Sequence, residues 1–284
     1  MGFAARQQCL GIVACGGKLP EVLCEAAIAQ GRQVHVVAVK GQAEPALARF
    51  PHDWVRLGEL GHLFGALHRA GCEEIVIIGS LRRPNIWKSG IDLGFFRHLP
   101  TILSFRRGGD DNVMSRIVKL FESQGFRVRG AHEIAPSLVA PTGTLGGSAP
   151  DQDAENDIRR GFALLDAMAP FDVGQSTVVS HGHVIAVEAA EGTDAMLRRC
   201  AELRQWGGTR RTGVLVKAPK RGQEMRIDMP VIGARTVELA AKAGLAGIAV
   251  AAGQVMIAEQ AEMVQLADRH GIFVFGAGPS AAEA

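Results

Sequence analysis

The stretch Cys9–Gly31, CLGIVACGGKLPEVLCEAAIAQG, joins a short apolar run to a helical pattern through a glycine-containing turn. CLGIVAC is apolar at nearly every position, which is typical of a strand buried on both faces of a parallel sheet. The turn CGGKLP leads into a helix with Pro20 in its first turn and Gly31 just past its end. A strand, a tight turn and a helix in this order predict the first unit of an α/β sheet.

Strand and helix patterns keep alternating through the first half of the chain. The apolar runs VHVVAV (34–39) and EEIVIIGS (73–80) predict two further buried strands, and FRVRG (126–130) predicts a short one. Amphipathic patterns predict helices over 60–70 and 110–124. This alternation favours a doubly wound sheet of parallel strands.

The pattern is interrupted at 136–150, which holds three prolines and three glycines and shows no periodicity. We interpret this segment as a linker. It separates an N-terminal Rossmann-like domain with a parallel sheet, residues 1–135, from a C-terminal mixed α/β domain, residues 151–284. In the second half, STVVSHGHVIAVEA (176–189) predicts a hairpin, and GIAVAAGQVMIAE (247–259) predicts another.

Composition narrows the class of protein. The chain has 284 residues and a net charge of +2, without a basic run, so the sequence does not indicate a nucleic-acid partner. Five cysteines show neither CxxC nor zinc-ligand spacing, which predicts reduced thiols in a cytoplasmic protein. The uncharged, alanine-rich run 243–258 is shorter than the ~20 apolar residues that a membrane-spanning helix needs.

The strongest candidate for chemistry is KAPKRGQEMRIDMPVIG, Lys217–Gly233. A diphosphate is neutralised in proteins by lysine, arginine or Mg²⁺. Lys217, Lys220 and Arg226 could supply the cations, and a solvated surface loop is the alternative interpretation.

The same stretch contains a candidate metal ligand. Met229 precedes Pro230, and this position favours extended backbone, which could aim Asp228 at a metal. Mg²⁺ typically takes one or two carboxylates together with phosphates and waters, so few acids are needed.

Two further acids, Glu188 and Asp194, have both a functional and a structural interpretation. Glu188 lies at the end of the apolar run VIAVEAA, where a carboxylate needs a partner or a function. Asp194 closes the turn EGTD (191–194) at the start of a predicted helix, and simple capping explains it equally well.

Two other segments have a ligand-binding and a structural interpretation. The turn CGGKLP (15–20) could bind a phosphate through its N–H groups, but it has neither GxGxxG nor GK[ST] and could be a plain strand-to-helix turn. Asp110 and Asp111 begin a helix, where acids favour the helix dipole, and a ligand or metal role is the alternative.

Several motifs taken together resemble one family, the two-domain UDP-2,3-diacylglucosamine pyrophosphatases of lipid A biosynthesis, as distinct from the calcineurin-like type. The resemblance covers essentially the whole chain. The motifs, in chain order, are CGGKLP (15–20), GSLRRP (79–84), GGDD (108–111), GAHE (130–133), DVGQ (172–175), VEAAEGTDAMLRR (187–199) and KAPKRGQEMRIDMPVIG (217–233). EGTD and the segment around RIDMPVIG are specific, whereas the glycine loop is not. One departure is Cys15, where the family usually has glycine.

The resemblance implies hydrolysis of UDP-2,3-diacylglucosamine to UMP and 2,3-diacylglucosamine 1-phosphate, with Mg²⁺ and attack of water on the α-phosphorus. The essential aspartate of the family maps onto Asp228, either as a metal ligand or as a base. A homodimer and peripheral contact with the inner face of the inner membrane are expected.

The residue roles expected from the motifs and the resemblance fall into three groups. The catalytic group is Asp228, Lys217 and Arg226. The substrate-binding group is Gly16, Gly17, Leu19, Gly79, Gln175, Gly192, Thr193, Lys220 and Gln223. The metal-binding group is Asp228, Glu224, Asp194 and Glu188.

Two other functions stay open from the sequence. A nicotinamide-dependent oxidoreductase suits the N-terminal α/β pattern, but GxGxxG is missing and the second strand ends in Lys40 where an acid for the ribose is expected. A non-enzymatic protein that binds a sugar nucleotide or a lipid is the other, and it would leave its ligand intact.

Overall fold

The computed structural model describes residues 9–81, 90, 92–97, 99, 110–203 and 211–278, and leaves aside the side chains of residues 96 and 110–112. The chain divides into two compact units. One unit consists of Met1–Pro136 together with Glu224–Asp228, and the other of Ser137–Gln223 together with Met229–Ala284. None of the described helices is long and apolar enough to cross a membrane.

The first unit contains a sheet of five parallel strands in the order β3-β2-β1-β4-β5. This is the order of the first five strands in doubly wound dinucleotide-binding sheets. The strands are β1 (Cys9–Ala14), β2 (Val34–Val39), β3 (His52–Val55), β4 (Cys72–Ile78) and β5 (Arg127–Val128). The helices are α1 (Leu19–Ala29), α2 (Leu60–Arg69), α3 (Leu93–Arg97), α4 (Asp110–Ser123) and α5 (Ala131–Ile134), with a 3₁₀ turn at Pro45–Arg49.

An aromatic cluster lies in the core of the first unit. The ring of Phe64 meets that of Phe121 edge-on, with 5.2 Å between centroids, and stacks with that of Phe126 at 6.2 Å. Ile227 packs against the same core. A distant piece of the chain therefore belongs to this unit, because its isoleucine is part of the apolar cluster.

The second unit contains a mixed sheet of six strands in the order β6-β13-β11-β9-β7-β8, and a separate parallel pair, β10 and β12. The strands are β6 (Gly143–Gly146), β7 (Ser176–Ser180), β8 (His183–Val187), β9 (Val214–Lys217), β10 (Val231–Ile232), β11 (Gly247–Ala251), β12 (Met256–Ile257) and β13 (Phe273–Ala277). The helices are α6 (Gln152–Met168), α7 (Thr193–Leu203), α8 (Ala234–Lys242) and α9 (Gln260–His270), with 3₁₀ turns at Pro136–Leu138 and Ala169–Phe171. The predicted fold class, a parallel-sheet unit followed by a mixed α/β unit, is confirmed.

The side chains of β9 alternate between two apolar clusters. Val214 and Val216 pack with residues of α6, and a Cβ on Gly161 of that helix would lie 2.5 Å from Val216 Cγ2. Leu215 packs in the other cluster, with residues of α7 and α8. Because strand side chains alternate with a period of two, Lys217 faces the same side as Leu215.

Two predicted features of the second half differ from the structure. Residues 136–150 contain β6, which pairs antiparallel with β13. This short strand has glycine at both ends, so no alternating pattern distinguishes it from a linker. Residues 247–259 do not form a hairpin, because β11 and β12 belong to different sheets. The N–H groups of Ala252 and Gly253 bond to Ala277 and Ala140, which directs the chain away from β11.

Candidate functional site

A buried lysine at the end of β9 is the centre of the site in the second unit. The side of the sheet that Lys217 faces is covered by α7, whose first residue is Thr193. Lys217 is only 5% exposed, and its Nζ donates to Thr193 Oγ1 at 2.8 Å. A buried ammonium is strongly disfavoured unless it is hydrogen-bonded, so this contact holds the cation in one place.

A buried carboxylate lies on the other side of the same hydroxyl. Thr193 Oγ1 donates to Glu188 Oε2 at 3.0 Å, and Ser176 Oγ lies 3.3 Å from Thr193 Oγ1. Glu188 is buried, and its N–H donates to the carbonyl of Ser176 at 2.9 Å. Ammonium, hydroxyl and carboxylate therefore form one chain of hydrogen bonds, which we call the Lys217–Thr193–Glu188 chain. Such a fixed cation can stabilise negative charge on a bound oxyanion.

The loop after β9 gathers three predicted substrate-binding residues. Gln223 is buried, its Oε1 accepts from the N–H of Lys220 at 2.8 Å, and its amide lies 3.3 Å from that of Gln175. The carbonyl of Gln175 accepts from Ala218 N at 3.0 Å, and Lys220 Nζ pairs with the carboxylate of Asp172. Lys220, Gln223 and Gln175 thus lie together directly after Lys217.

Glu224 and Arg226, predicted as a metal ligand and a catalytic cation, belong to the first unit and bond to each other. Arg226 donates from Nε and Nη2 to the two oxygens of Glu224, at 2.8 and 2.7 Å, and from Nη1 to Glu122 Oε1 at 2.9 Å. The hydrogen bonds from Arg226 hold the pKa of Glu224 below its usual range, although burial opposes this. The same carboxylates raise the pKa of Arg226. Arg226 and Glu224 therefore largely neutralise each other.

Asp228 follows this pair within a tight turn. Its N–H donates to the carbonyl of Glu224 at 3.0 Å, and the N–H of Ile227 donates to the same oxygen at 3.2 Å. Since Ile227 packs against the core that contains the aromatic cluster, the backbone directly before Asp228 is anchored.

Asp194 lies on the surface of the second unit. Its Oδ2 pairs with Arg235 Nε and lies 3.9 Å from Arg198 Nη2. Gly192, two residues earlier, has φ +80°, a conformation that glycine adopts readily. Asp194 thus resembles the first-turn acid of a helix with arginine neighbours, and Gly192 serves the turn before that helix.

The glycine turn after β1 lies in the first unit. The N–H of Gly16 donates to the carbonyl of Ser80 at 2.9 Å, and Ser80 returns the bond to Gly16 at 2.8 Å. A Cβ on Gly79 would lie 2.7 Å from the carbonyl oxygen of Gly16, so this close approach requires glycine. Gly17 has φ +88°, and Leu19 is buried as the first residue of α1. The Gly16 N–H is therefore engaged within the protein.

Cys15, the residue at which the sequence departs from the expected glycine loop, is buried. Its N–H bonds to the carbonyl of Ile78 at 2.9 Å, and burial raises the pKa of its thiol to about 11. The thiol is therefore neutral and inert at physiological pH.

Both halves of the chain match known domains. Residues 9–138 match the family model of the LpxI N-terminal domain, and residues 141–275 match that of the LpxI C-terminal domain. The UDP-2,3-diacylglucosamine pyrophosphatase LpxI of Caulobacter vibrioides is 40% identical over 273 residues, which are 95% of this chain and 98% of that protein. The chain belongs to the LpxI family.

The four acids predicted as metal ligands in this LpxI-family chain have separate environments. Among the residues that the structure describes, no three His, Cys, Asp or Glu side chains group as a metal site would require. Glu188 accepts a hydrogen bond from Thr193, and Asp194 pairs with Arg235. Glu224 accepts hydrogen bonds from Arg226. Because Mg²⁺ can be held by one carboxylate together with substrate phosphates and waters, Asp228 alone is compatible with it.

Sequence reasoning missed two contributors to the site, Asp172 and Ser176. Asp172 belongs to the motif DVGQ, which marks the segment but predicts no role for this aspartate. Ser176 begins an apolar strand, and nothing in the sequence distinguishes it. Other predicted features lie outside the described residues: Arg82–Pro84 of GSLRRP, Gly108 and Gly109 of GGDD, and the side chains of Asp110 and Asp111.

Proposed function

We propose that this chain hydrolyses UDP-2,3-diacylglucosamine to UMP and 2,3-diacylglucosamine 1-phosphate in lipid A biosynthesis, with Mg²⁺, by attack of water on the α-phosphorus. The similarity to the LpxI of Caulobacter vibrioides over nearly the full length of both chains supports the reaction class. The observation that carries the proposal in this chain is the Lys217–Thr193–Glu188 chain with Lys220 and Gln223 beside it.

The reaction exchanges one bond at phosphorus for another. The water oxygen bonds to the α-phosphorus, and the bond from that phosphorus to the bridging oxygen breaks. UMP keeps the water oxygen, and the sugar 1-phosphate leaves with the bridging oxygen. Negative charge grows on the phosphate oxygens and on the bridge, so fixed cations beside them lower the barrier.

In this scheme Lys217 is the principal cation for the diphosphate, because its ammonium is buried and directed by Thr193. Lys220, whose charge is shared with Asp172, is the second. Gln175 and Gln223, with linked amides, would donate to oxygens of the ligand. Arg226 is assigned a structural role, since two carboxylates already occupy its guanidinium.

Asp228 is the residue that would hold Mg²⁺ or orient the attacking water. Bound Mg²⁺ would neutralise phosphate oxygens and make water a better nucleophile. The anchored backbone directly before Asp228 favours a fixed carboxylate direction, which either role requires.

Place of action and assembly follow as further parts of the proposal. A lipid-linked substrate requires a cytoplasmic protein to meet the inner face of the inner membrane, and sedimentation with vesicles that contain the substrate would test this contact. The homodimer is expected from the resemblance alone, and light scattering of the purified protein would test it.

The proposal is tested by incubating the purified protein with UDP-2,3-diacylglucosamine and Mg²⁺ in ¹⁸O-labelled water and weighing the products. Label in UMP supports attack on the α-phosphorus, whereas label in the lipid phosphate would refute it. A parallel sample with EDTA should be inactive and should recover with Mg²⁺; full activity in chelator would remove the metal. A ligand that stays intact under all conditions would favour a binding protein.

A further inference from the structure

The loop between α6 and β7 carries an aromatic side chain into solvent. Phe171 is 76% exposed, and Val173 on the same loop is also exposed. Single exposed apolar residues are common on protein surfaces and need no explanation by themselves. What distinguishes this loop is the set of residues to which it is attached.

Three contacts fasten the loop to residues of the candidate site. Asp172, which lies between Phe171 and Val173 in the sequence, pairs with Lys220. A Cβ on Gly174 would lie 2.1 Å from the carbonyl oxygen of Glu188, so the backbones touch there. The carbonyl of Gln175 accepts from Ala218 N at 3.0 Å, next to Lys217.

The backbone of the loop is fastened at Asp172. This residue has φ 51° and ψ 39°, in the left-handed region, which aspartate adopts more often than most residues other than glycine. Its carboxylate pairs with Lys220 and so attaches the segment between Phe171 and Val173 to the loop after β9. The two exposed side chains are therefore carried by a segment that is bound to the candidate site.

We propose that Phe171 and Val173 bind an acyl chain of the substrate. The inference rests on the proposed function, in which the protein binds the diphosphate and the acyl chains of one substrate molecule at the same time. Lys220 links the two requirements, because the lysine predicted to meet the diphosphate is the one that positions this loop. Burying a hydrocarbon chain on an aromatic ring is favourable in proportion to the apolar area removed from water.

The test uses substrate analogues of increasing acyl length, all kept below the concentration at which they aggregate, without vesicles or detergent. For each protein, kcat/KM is measured on the longest and on the diacetyl analogue, and their ratio is compared. In Phe171→Ser with Val173→Ser the ratio should fall about 10-fold, because the side chains matter only for the longer chains. Phe171→Leu should keep most of the ratio, since it remains apolar.

Val184→Ser is the matched control. Val184 is 43% exposed and lies on β8 near the hairpin turn, in the same unit as the loop. Its substitution should leave the ratio at the wild-type value. Because Phe171 and Val184 are both exposed, neither change removes core packing.

The outcomes separate this inference from the proposed function. An unchanged ratio in the loop variant, or a decrease equal to that of Val184→Ser, would overturn the acyl contact while hydrolysis itself stands. A defect that is absent in this assay and appears only when the assay is repeated with vesicles would overturn it in favour of a bilayer contact. Failure of the wild-type protein to hydrolyse any analogue would instead defeat the proposed function.

Discussion

Lys217 and Arg226 belong to one stretch of sequence, and the pattern predicts the same role for both, yet their surroundings differ. The ammonium of Lys217 is buried and bonds to the hydroxyl of Thr193, which connects it to Glu188. The guanidinium of Arg226 bonds directly to the carboxylates of Glu224 and Glu122.

Closeness in sequence therefore does not indicate which partner a cation finds in the folded protein. A guanidinium that donates two hydrogen bonds to one carboxylate has its charge and its best-directed donors already committed. A hydroxyl partner fixes the direction of an ammonium, and here it connects Lys217 to the carboxylate of Glu188. The basic stretch therefore contains one cation held through a hydroxyl and one held directly by carboxylates.

The largest effect on activity is expected from substitution of Asp228. Asp228→Ala should lower kcat by about 10³-fold or more, because either proposed role, metal ligand or water orienter, lies in the chemical step. Product formation by mass spectrometry measures it, with circular dichroism to verify the fold. Glu224→Gln, which changes the neighbouring carboxylate, is the control and should keep most of its activity. Near-wild-type turnover in the Asp228 variant would remove it from the mechanism.

The comparison itself is tested by two matched substitutions. Lys217→Met should lower kcat/KM by about 10²-fold, the size seen when one charge-stabilising donor is lost. Arg226→Met should lower it far less and should instead lower the melting temperature, because Glu224 loses its partner. Steady-state kinetics and calorimetry on both variants measure this. Equal kinetic losses would mean that Arg226 meets the substrate and that the two cations do not differ in role.

Much of the fold could be predicted because its elements have strong local patterns. Continuous apolar runs predict the strands β1, β2 and β4, and an amphipathic pattern predicts the helix α4. From sequence, the short strand β6 is interpreted as part of a linker and β12 as the second strand of a hairpin with β11, because two to four residues carry no period. Their pairing depends on hydrogen bonds to distant segments, such as that of Met256 N to the carbonyl of Pro230.

The site was predictable in composition but not in pairing. Sequence identifies Glu188 as unusual, since a carboxylate on an apolar run needs a partner, and names Lys217 and Thr193 through the motifs that contain them. It does not reveal that Thr193 is that partner for both charges, because the contact joins the end of a strand to the start of a helix. The engagement of Arg226 with Glu122 joins residues still further apart in the chain.

A smaller effect is expected from the hydroxyl that connects the buried charges. Thr193→Val removes the hydroxyl while keeping the shape of the side chain, and should lower kcat/KM about 10-fold, mainly through kcat, because Lys217 loses its direction. Thr193→Ser restores the hydroxyl and should recover most of this loss. Kinetics on the three proteins measure it. If serine is no better than valine, the threonine contributes packing alone and the hydrogen-bonded chain does not position Lys217.

The smallest effect concerns the stability that the Glu224–Arg226 pair contributes and its dependence on pH. The hydrogen bonds from Arg226 hold the pKa of Glu224 below 4.5, its ordinary value, against the opposing effect of burial. A lowered pKa means that the folded protein favours the ionised form, so the contribution is complete above pH 4.5 and is lost as pH falls through the folded pKa. At neutral pH, Glu224→Gln should therefore lower the free energy of unfolding by about 1 kcal/mol.

Calorimetry of wild type and Glu224→Gln over a series of pH values checks this prediction, since the difference between them should shrink below pH 4.5. Glu122→Gln is a matched control at neutral pH. Its carboxylate contacts the same guanidinium but is 43% exposed, against 13% for Glu224. Exposed ion pairs contribute less because water screens them, so Glu122→Gln should cost less than Glu224→Gln. A Glu224→Gln protein as stable as wild type at neutral pH would mean that Arg226 is not committed to Glu224, and its charge would again be available to a diphosphate.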